Sequence, residues 1–285
     1  MASAAQKQAK NQKKGKKSKR SKVHLTAKTA DKHALYEKSV QEPEADIRFL
    51  TRIFRKEYDR VPMSLREDFC GTAYLCAEWV KSHPERVAVG VDLDEQTLDW
   101  GRRRHLEPLG EDAQRVTLLR RNVLEVREPK VDLAVAFNFS YCTLLERSEM
   151  VRYIRTVKES LHPEGAFILD MHGGPESFEE LEETTEHSGF SYVWDQGPID
   201  ALTQITHRAI HFRFPDGSKI KNAFRYHWRI WNLPEVRDLL ADAGFSRTDI
   251  YWEGTDEDGE GNGVFRKVQK AENDESWIAY IVAWQ

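Results

Sequence analysis

Short apolar runs and amphipathic stretches alternate through the first part of this chain. Residues 63–69, 87–91, 116–119 and 131–137 are runs bounded by turn residues, and the last is almost continuous after Asp132. Such runs mark strands buried on both faces of a parallel sheet. The intervals 74–81 and 95–104 read as helices. A third helix over 147–161 meets the stop signal Pro163-Glu164-Gly165, and 166–171 follows as a fifth strand. Ahead of all these, Ile47, Leu50, Phe54 and Tyr58 keep the i, i+3, i+7, i+11 spacing of an amphipathic helix over 43–60. Strand and helix in alternation predict an α/β domain.

After residue 175 the rhythm changes. Residues 176–186 hold six acids, and residues 190–231 alternate with period two. Ile210, Phe212 and Phe214 share one face, Pro215-Asp216-Gly217 makes a turn, and Phe224, Tyr226, Trp228 and Ile230 return on one face. The pattern predicts an antiparallel sheet inserted after strand five. A helix over 233–243 stops at Gly244. Residues 250–252 and 277–284 are the last strands, joined by a polar loop over 254–263.

One stretch points to a ligand. Leu65-Arg66-Glu67-Asp68-Phe69-Cys70-Gly71-Thr72-Ala73 is followed about twenty residues later by Val89-Gly90-Val91-Asp92-Leu93-Asp94. The order is strand, tight glycine turn, helix, second strand and an acid at its end. In a doubly wound domain that acid, here Asp92, accepts both hydroxyls of an adenosine ribose. A dinucleotide site needs Gly-x-Gly-x-x-Gly, but Phe69 and Ala73 replace two of those glycines, and the Gly-Lys-Ser/Thr of a P-loop is absent. The nucleoside therefore carries no phosphates, and S-adenosylmethionine fits.

At these residues the chain resembles the class I S-adenosylmethionine-dependent methyltransferases. Glu67 matches the acid that opens their first motif, and Cys70-Gly71-Thr72 matches the middle of its turn. Asp92 matches the ribose acid, with Leu93 beside it. Asn122-Val123 matches the pair that meets adenine, and Phe137-Asn138-Phe139-Ser140 the motif beside the methyl group. The resemblance covers roughly residues 35–175 plus the last strands. It implies a Rossmann-like sheet of seven strands in the order 3-2-1-4-5-7-6, the last antiparallel. It also implies an N-terminal segment, over 31–41, that folds across the cofactor. Glu67, Phe69, Gly71, Asp92, Leu93, Asn122, Val123 and Asn138 are then the cofactor-binding set. Simpler readings stand beside these roles: Asp92 as a helix cap that Asp94 also offers, Gly71 and Asn122 as turn residues, and Glu67 as a surface partner of Arg66.

Charge divides the chain. Residues 1–22 carry nine Lys or Arg and no acid, and the remaining 263 residues hold 34 basic against 47 acidic side chains, a net of −13. The tail has too little apolar surface to fold, so a disordered basic tail is expected over 1–30 and one domain over 31–285. Contact of residues 7–22 with nucleic acid or protein, and nuclear targeting, are the functional readings of the tail. No apolar run approaches a membrane span. Cys70, Cys76 and Cys142 have no zinc spacing, and no metal is expected; a cytoplasmic setting follows.

Methyl transfer demands positioning: the acceptor atom lies roughly 3 Å from the methyl and opposite the sulfur. The acceptor is therefore sought in residues 190–231, where nine aromatics fall in 42 residues. Trp194, Tyr226, His227 and Arg229 are the substrate candidates, as aromatic cage and carboxylate holder. His172, at the end of strand five, and Tyr141 are the candidates for a base. The leading expectation is transfer to a small amine, carboxylate or hydroxyl under an aromatic lid over 190–231. A protein or RNA methyltransferase that docks through the tail, and a non-catalytic adenosine-binding protein, are the alternatives.

Overall fold

The computed structural model describes residues 25–256 and 261–285. The expected basic tail lies outside the described residues up to 24. Residues 25–30 belong to the folded body. Leu25, Ala27 and Ala30 pack on the core, and the Ala27 N–H donates to Ser218 Oγ at 2.9 Å. The tail boundary placed at 30 is therefore too late.

The strands are β1 (Ser64–Asp68), β2 (Val87–Asp92), β3 (Val116–Arg120), β4 (Val131–Ala136) and β5 (Leu161–Gly173). Then come β6 (Leu181–His187), β7 (Phe190–Ile199), β8 (Ile205–Arg213) and β9 (Lys219–Arg229), and finally β10 (Arg247–Thr255), β11 (Gly261–Val268) and β12 (Trp277–Trp284). The helices are α1 (Lys32–Val40), α2 (Pro43–Tyr58), α3 (Tyr74–Lys81), α4 (Glu95–Gly101), α5 (Arg147–Glu159) and α6 (Leu233–Asp242).

The main sheet has the order β3-β2-β1-β4-β5-β12-β10-β11. β1 to β5 are parallel, and β12 runs antiparallel to β5 and β10. This is the expected 3-2-1-4-5-7-6 arrangement with an eighth strand at the edge. Of the predicted loop over 254–263, residues 254–255 end β10 and residues 261–263 open β11, which pairs antiparallel with β10. Only Phe265 is buried in β11, so its polar alternation gives little apolar signal.

The period of two sorts each central strand onto two cores. Leu133, Val135 and Phe137 face α2 and α3, while Ala134 and Ala136 join the cluster that contains α5 and α6. Val282 and Trp284 divide from Ile281 and Ala283 in the same way. Each fully buried aliphatic side chain contributes about 1.5–3 kcal/mol.

β6, β7, β8 and β9 form a second, antiparallel sheet between β5 and α6. It starts at Leu181, earlier than the predicted 190, because the acid-rich segment is its edge strand. Glu182 and Glu186 point outward along β6, and Glu182 pairs with Arg213 at 2.5 Å. Charge on an exposed edge discourages pairing with another chain. The inner face of this sheet meets the carboxyl ends of β4 and β5, where Trp228 lies edge-on to Phe139. Among the described residues no helix is long and apolar enough to cross a membrane.

Candidate active site

Past Asp68 the chain turns through residues 69–73 into α3. Phe69, Gly71 and Ala73 all take left-handed backbone, with φ of 55°, 52° and 55°. The loop therefore keeps a glycine-like path at the two positions that lack glycine. Each such residue stores about 1–2 kcal/mol of strain. At Gly71 an added Cβ would meet only Thr97 Cγ2, at 3.9 Å; the backbone conformation, not crowding, is what favours glycine there.

Asp92 closes β2 against this turn. Its Oδ2 accepts from the Gly71 N–H at 2.9 Å, and its Oδ1 from the Asp94 N–H at 2.8 Å. The cap of α4 is Asp94, which accepts from the N–H groups of Gln96 and Thr97. Leu93, beside Asp92, is 64% exposed. Asn122 Oδ1 accepts from the Leu124 N–H at 3.0 Å and caps the short turn Val123–Glu125. Below that turn, Arg66 donates to the carbonyls of Val123 and Val126. Arg66 also pairs with Asp68 at 2.7 Å, and the Tyr153 hydroxyl donates to Asp68 at 2.9 Å. The two charges unusual for a parallel strand thus form a buried pair that fixes the 122–126 loop.

Between the two sheets, α2 and the β10–β11 hairpin lies a cavity of about 680 Å³. Its walls include Glu67, Asn138 and Asp170 from the strand ends, Asp46 from α2, and Trp194, Tyr226 and Trp228 from the inserted sheet. Burial pushes the Glu67 carboxyl up to about 8, Asp170 to about 7 and Asp46 to about 6, and Asp46 adds to the upward push on the other two. Each is held in place. Cys76 Sγ donates to Glu67 at 3.1 Å, and the Tyr280 hydroxyl to Asp46 at 2.7 Å. Asp170 accepts from the N–H groups of Asn138 and Phe139, at 2.6 and 2.9 Å, which braces two residues that both have φ of 57°. Among the described residues no cluster of His, Cys, Asp or Glu is arranged to hold a metal ion.

Residues 70–167 match the family model described as a methyltransferase domain. Over those residues the chain carries a methyltransferase domain, and its fold is Rossmann-like. No curated protein matches it. Solved structures share the methyltransferase's fold. An S-adenosylmethionine-dependent methyltransferase from Clostridium acetobutylicum ATCC 824 is 15% identical with a TM-score of 0.63, over 87% of this chain and 96% of its own. DesVI from Streptomyces venezuelae is 18% identical with a TM-score of 0.63, over 88% and 95%. The sugar N-methyltransferase KedS8 from Streptoalloteichus sp ATCC 53650 is 16% identical with a TM-score of 0.61, over 95% and 97%.

The methyltransferase brings only part of the predicted site together. Glu67, Asn138, Trp194 and Tyr226 line the cavity. Glu67 is buried and has no ion pair with Arg66, so the surface-partner reading fails. Phe69, Gly71, Asp92, Leu93, Asn122 and Val123 surround the adjoining turns. Four candidates lie elsewhere. His227 is exposed on the outer face and stacks on His207 at 4.7 Å. Arg229 pairs with Glu235 at 2.7 Å and sits 3.8 Å over the Trp231 ring. Tyr141 is 1% exposed within the apolar cluster. His172 is buried against Phe139, and burial pushes its imidazole down to about 3. Neither candidate base lines the cavity. Sequence reading passed over Asp46 and Asp170; the readable sign of the latter was an acid in the apolar run Ala166-Phe167-Ile168-Leu169-Asp170-Met171.

Proposed function

We propose that this methyltransferase moves the methyl group of S-adenosylmethionine to an amine nitrogen of a small polar acceptor held between the main and inserted sheets. The observation that carries the reading is the cavity, where three buried carboxyls and an aromatic wall share one space. That combination favours cationic and amine groups over carboxylates. A sugar N-methyltransferase among the structures of like fold supports a nitrogen acceptor.

Asp92 holds the ribose: each oxygen accepts one backbone N–H and keeps a lone pair for a hydroxyl. Leu93 gains cover from the adenine ring, and Asn122 and Val123 meet its rim. Gly71 and Phe69 shape the turn beneath the methionine part, whose ammonium Glu67 receives. Asn138 lies beside the methyl. The inserted sheet, through Trp194 and Tyr226, closes over the acceptor as a lid. The neutral nitrogen attacks the methyl carbon, the carbon–sulfur bond breaks, and the sulfonium becomes a thioether. One proton then leaves the nitrogen, and Asp46 and Asp170 are the carboxyls placed to receive it.

The test is calorimetric titration of the full chain with S-adenosylhomocysteine, followed by a methylation screen of amines, alcohols and carboxylates. Micromolar binding and turnover of amines are expected, and turnover survives deletion of residues 1–22. Absence of cofactor binding, methylation of oxygen acceptors alone, or dependence on a macromolecule docked through the tail overturns the reading.

A further inference from the structure

The inner face of the inserted sheet carries a cation with no ion-paired carboxylate: Asp195 acts on it without pairing and is itself paired with His211. Arg208 in β8 is 2% exposed, and among the described residues no carboxylate forms an ion pair with it. One of its nitrogens, Nη2, donates to the Ser177 carbonyl at 2.6 Å, while Nε and Nη1 are buried without a partner. An unmatched buried charge is costly and rare, so it calls for a reason.

Two further buried nitrogens nearby are also unmatched: Trp228 Nε1 and His172 Nδ1. Arg208 lies opposite Tyr226 in the β8–β9 ladder, two positions along from the Thr206–Trp228 pair and on the same face. Its charge also acts on His172. Arg208 and indole nitrogens only donate, and a neutral imidazole donates in one tautomer. The complement of such a set is a group that only accepts, namely an oxyanion. Trp228 joins this cluster to the cavity, because its ring forms part of the cavity wall, as do Ile210 and Tyr226 on either side of Arg208.

We propose that Arg208, Trp228 Nε1 and His172 Nδ1 form an anion subsite at the back of the acceptor cavity, which takes a carboxylate or phosphate carried by the amine acceptor. The acceptor then bridges two poles, with its nitrogen toward Asp46 and Asp170 and its oxyanion toward Arg208. The carboxylate-holding role that the sequence offered to Arg229 passes to Arg208, since Arg229 is already matched by Glu235.

This subsite rests on the amine-methyltransferase reading, but its test does not require a known acceptor. The full chain is loaded with S-adenosylhomocysteine, and its melting temperature is followed as sodium acetate or sodium phosphate replaces chloride at constant ionic strength. A saturable rise of about 3 °C or more is expected with one of the two anions. Acetate identifies a carboxylate site and phosphate a phosphate site. Arg208→Met removes the rise and melts higher than the wild type without anion, because an unmatched buried charge has gone. Trp228→Phe, which deletes one donor and keeps the ring, weakens the response several-fold and serves if Arg208→Met does not fold. No saturable rise with either anion, or an equal rise in both variants, overturns the subsite. Failure of the cofactor to bind overturns the methyltransferase reading instead, and the anion response of the unloaded chain still reports on Arg208.

Discussion

Asp92 and Gly71 stand 21 residues apart in the chain and share a hydrogen bond of 2.9 Å from the glycine N–H to the aspartate Oδ2. It ties the end of β2 to the turn after β1, and it presents the second lone pair of each carboxylate oxygen outward. Asp94, two residues on, does the capping of α4. The two acids therefore separate cleanly by experiment. Asp92→Ala removes two charge-assisted bonds to ribose, each of about 1.5–3 kcal/mol, so the affinity for S-adenosylhomocysteine falls by about 100-fold or more. Asp94→Ala costs about 1 kcal/mol of stability and leaves affinity within a few-fold. Calorimetric titration together with urea melts measures both. Equal losses of affinity in the two variants would remove Asp92 from the site.

Ala73 and Ala77 are both fully buried, four residues apart, yet glycine should act on them in opposite senses. Ala77 lies inside α3, where glycine loses a buried methyl of about 0.8 kcal/mol and about 1 kcal/mol of helix propensity. At Ala73 the same methyl is lost, but relief of the left-handed backbone returns about 1–2 kcal/mol. Ala73→Gly is therefore close to neutral in chemical denaturation, and Ala77→Gly is destabilised by about 2 kcal/mol. A loss at 73 as large as that at 77 would mean that the turn stores no strain.

The same pair of residues shows what the chain reveals in one dimension. Strand periodicity and glycine spacing report backbone needs, so β1 to β5 and the turn at 69–73 are readable, while the order of the sheet comes from the resemblance to class I methyltransferases. Burial of a charged group is not readable, because it depends on which partner the fold supplies. Arg66 and Asp68 look out of place in a strand until Tyr153 and the 122–126 carbonyls surround them. Asp46 sits in an amphipathic helix like any solvent-facing acid until Tyr280, 234 residues away, donates to it. Arg208 is the intermediate case. It occupies an inward phase of β8 between Thr206 and Ile210, and period-two counting alone marks it as a cation in an apolar row. His227 and Arg229 failed as substrate candidates by that same count, since both fall on the outward phase of β9.

Glu37 connects the N-terminal helix to the turn after β1. Its Oε1 accepts from the Thr72 hydroxyl at 2.7 Å and lies 2.6 Å from His105 Nε2, and all three groups are largely buried. Glu37→Ala leaves both partners unmatched, at about 1–3 kcal/mol for each buried polar group. Faster amide exchange is expected over residues 32–40, with weaker binding of S-adenosylhomocysteine, because Thr72 adjoins Gly71. Hydrogen exchange by mass spectrometry checks the first effect and calorimetry the second. Unchanged exchange in α1 would show that this contact does not hold the helix.

Glu67 supplies the pH dependence. Burial holds its carboxyl at about 8, against an ordinary 4.5, so at pH 7 the ligand-free protein keeps a proton there. An ammonium group placed against Glu67 favours the ionised form, and binding expels that proton. Cofactor affinity then rises with pH as far as about 8 and levels off above. Stability without ligand runs the other way. Between about 4.5 and 8 the folded chain binds more protons than the unfolded one, so stability falls as pH rises through that window and is flat on either side. Glu67→Gln removes the Glu67 share of both slopes and leaves the share of Asp46 and Asp170, which burial also raises. Titration with S-adenosylhomocysteine at pH 7, in buffers of different ionisation heat, counts the protons released. The wild type should release about one more than Glu67→Gln. Asp46 and Asp170 contribute to the total in both proteins, so the difference isolates Glu67. Equal proton release in the two would place the methionine ammonium somewhere other than at this carboxylate.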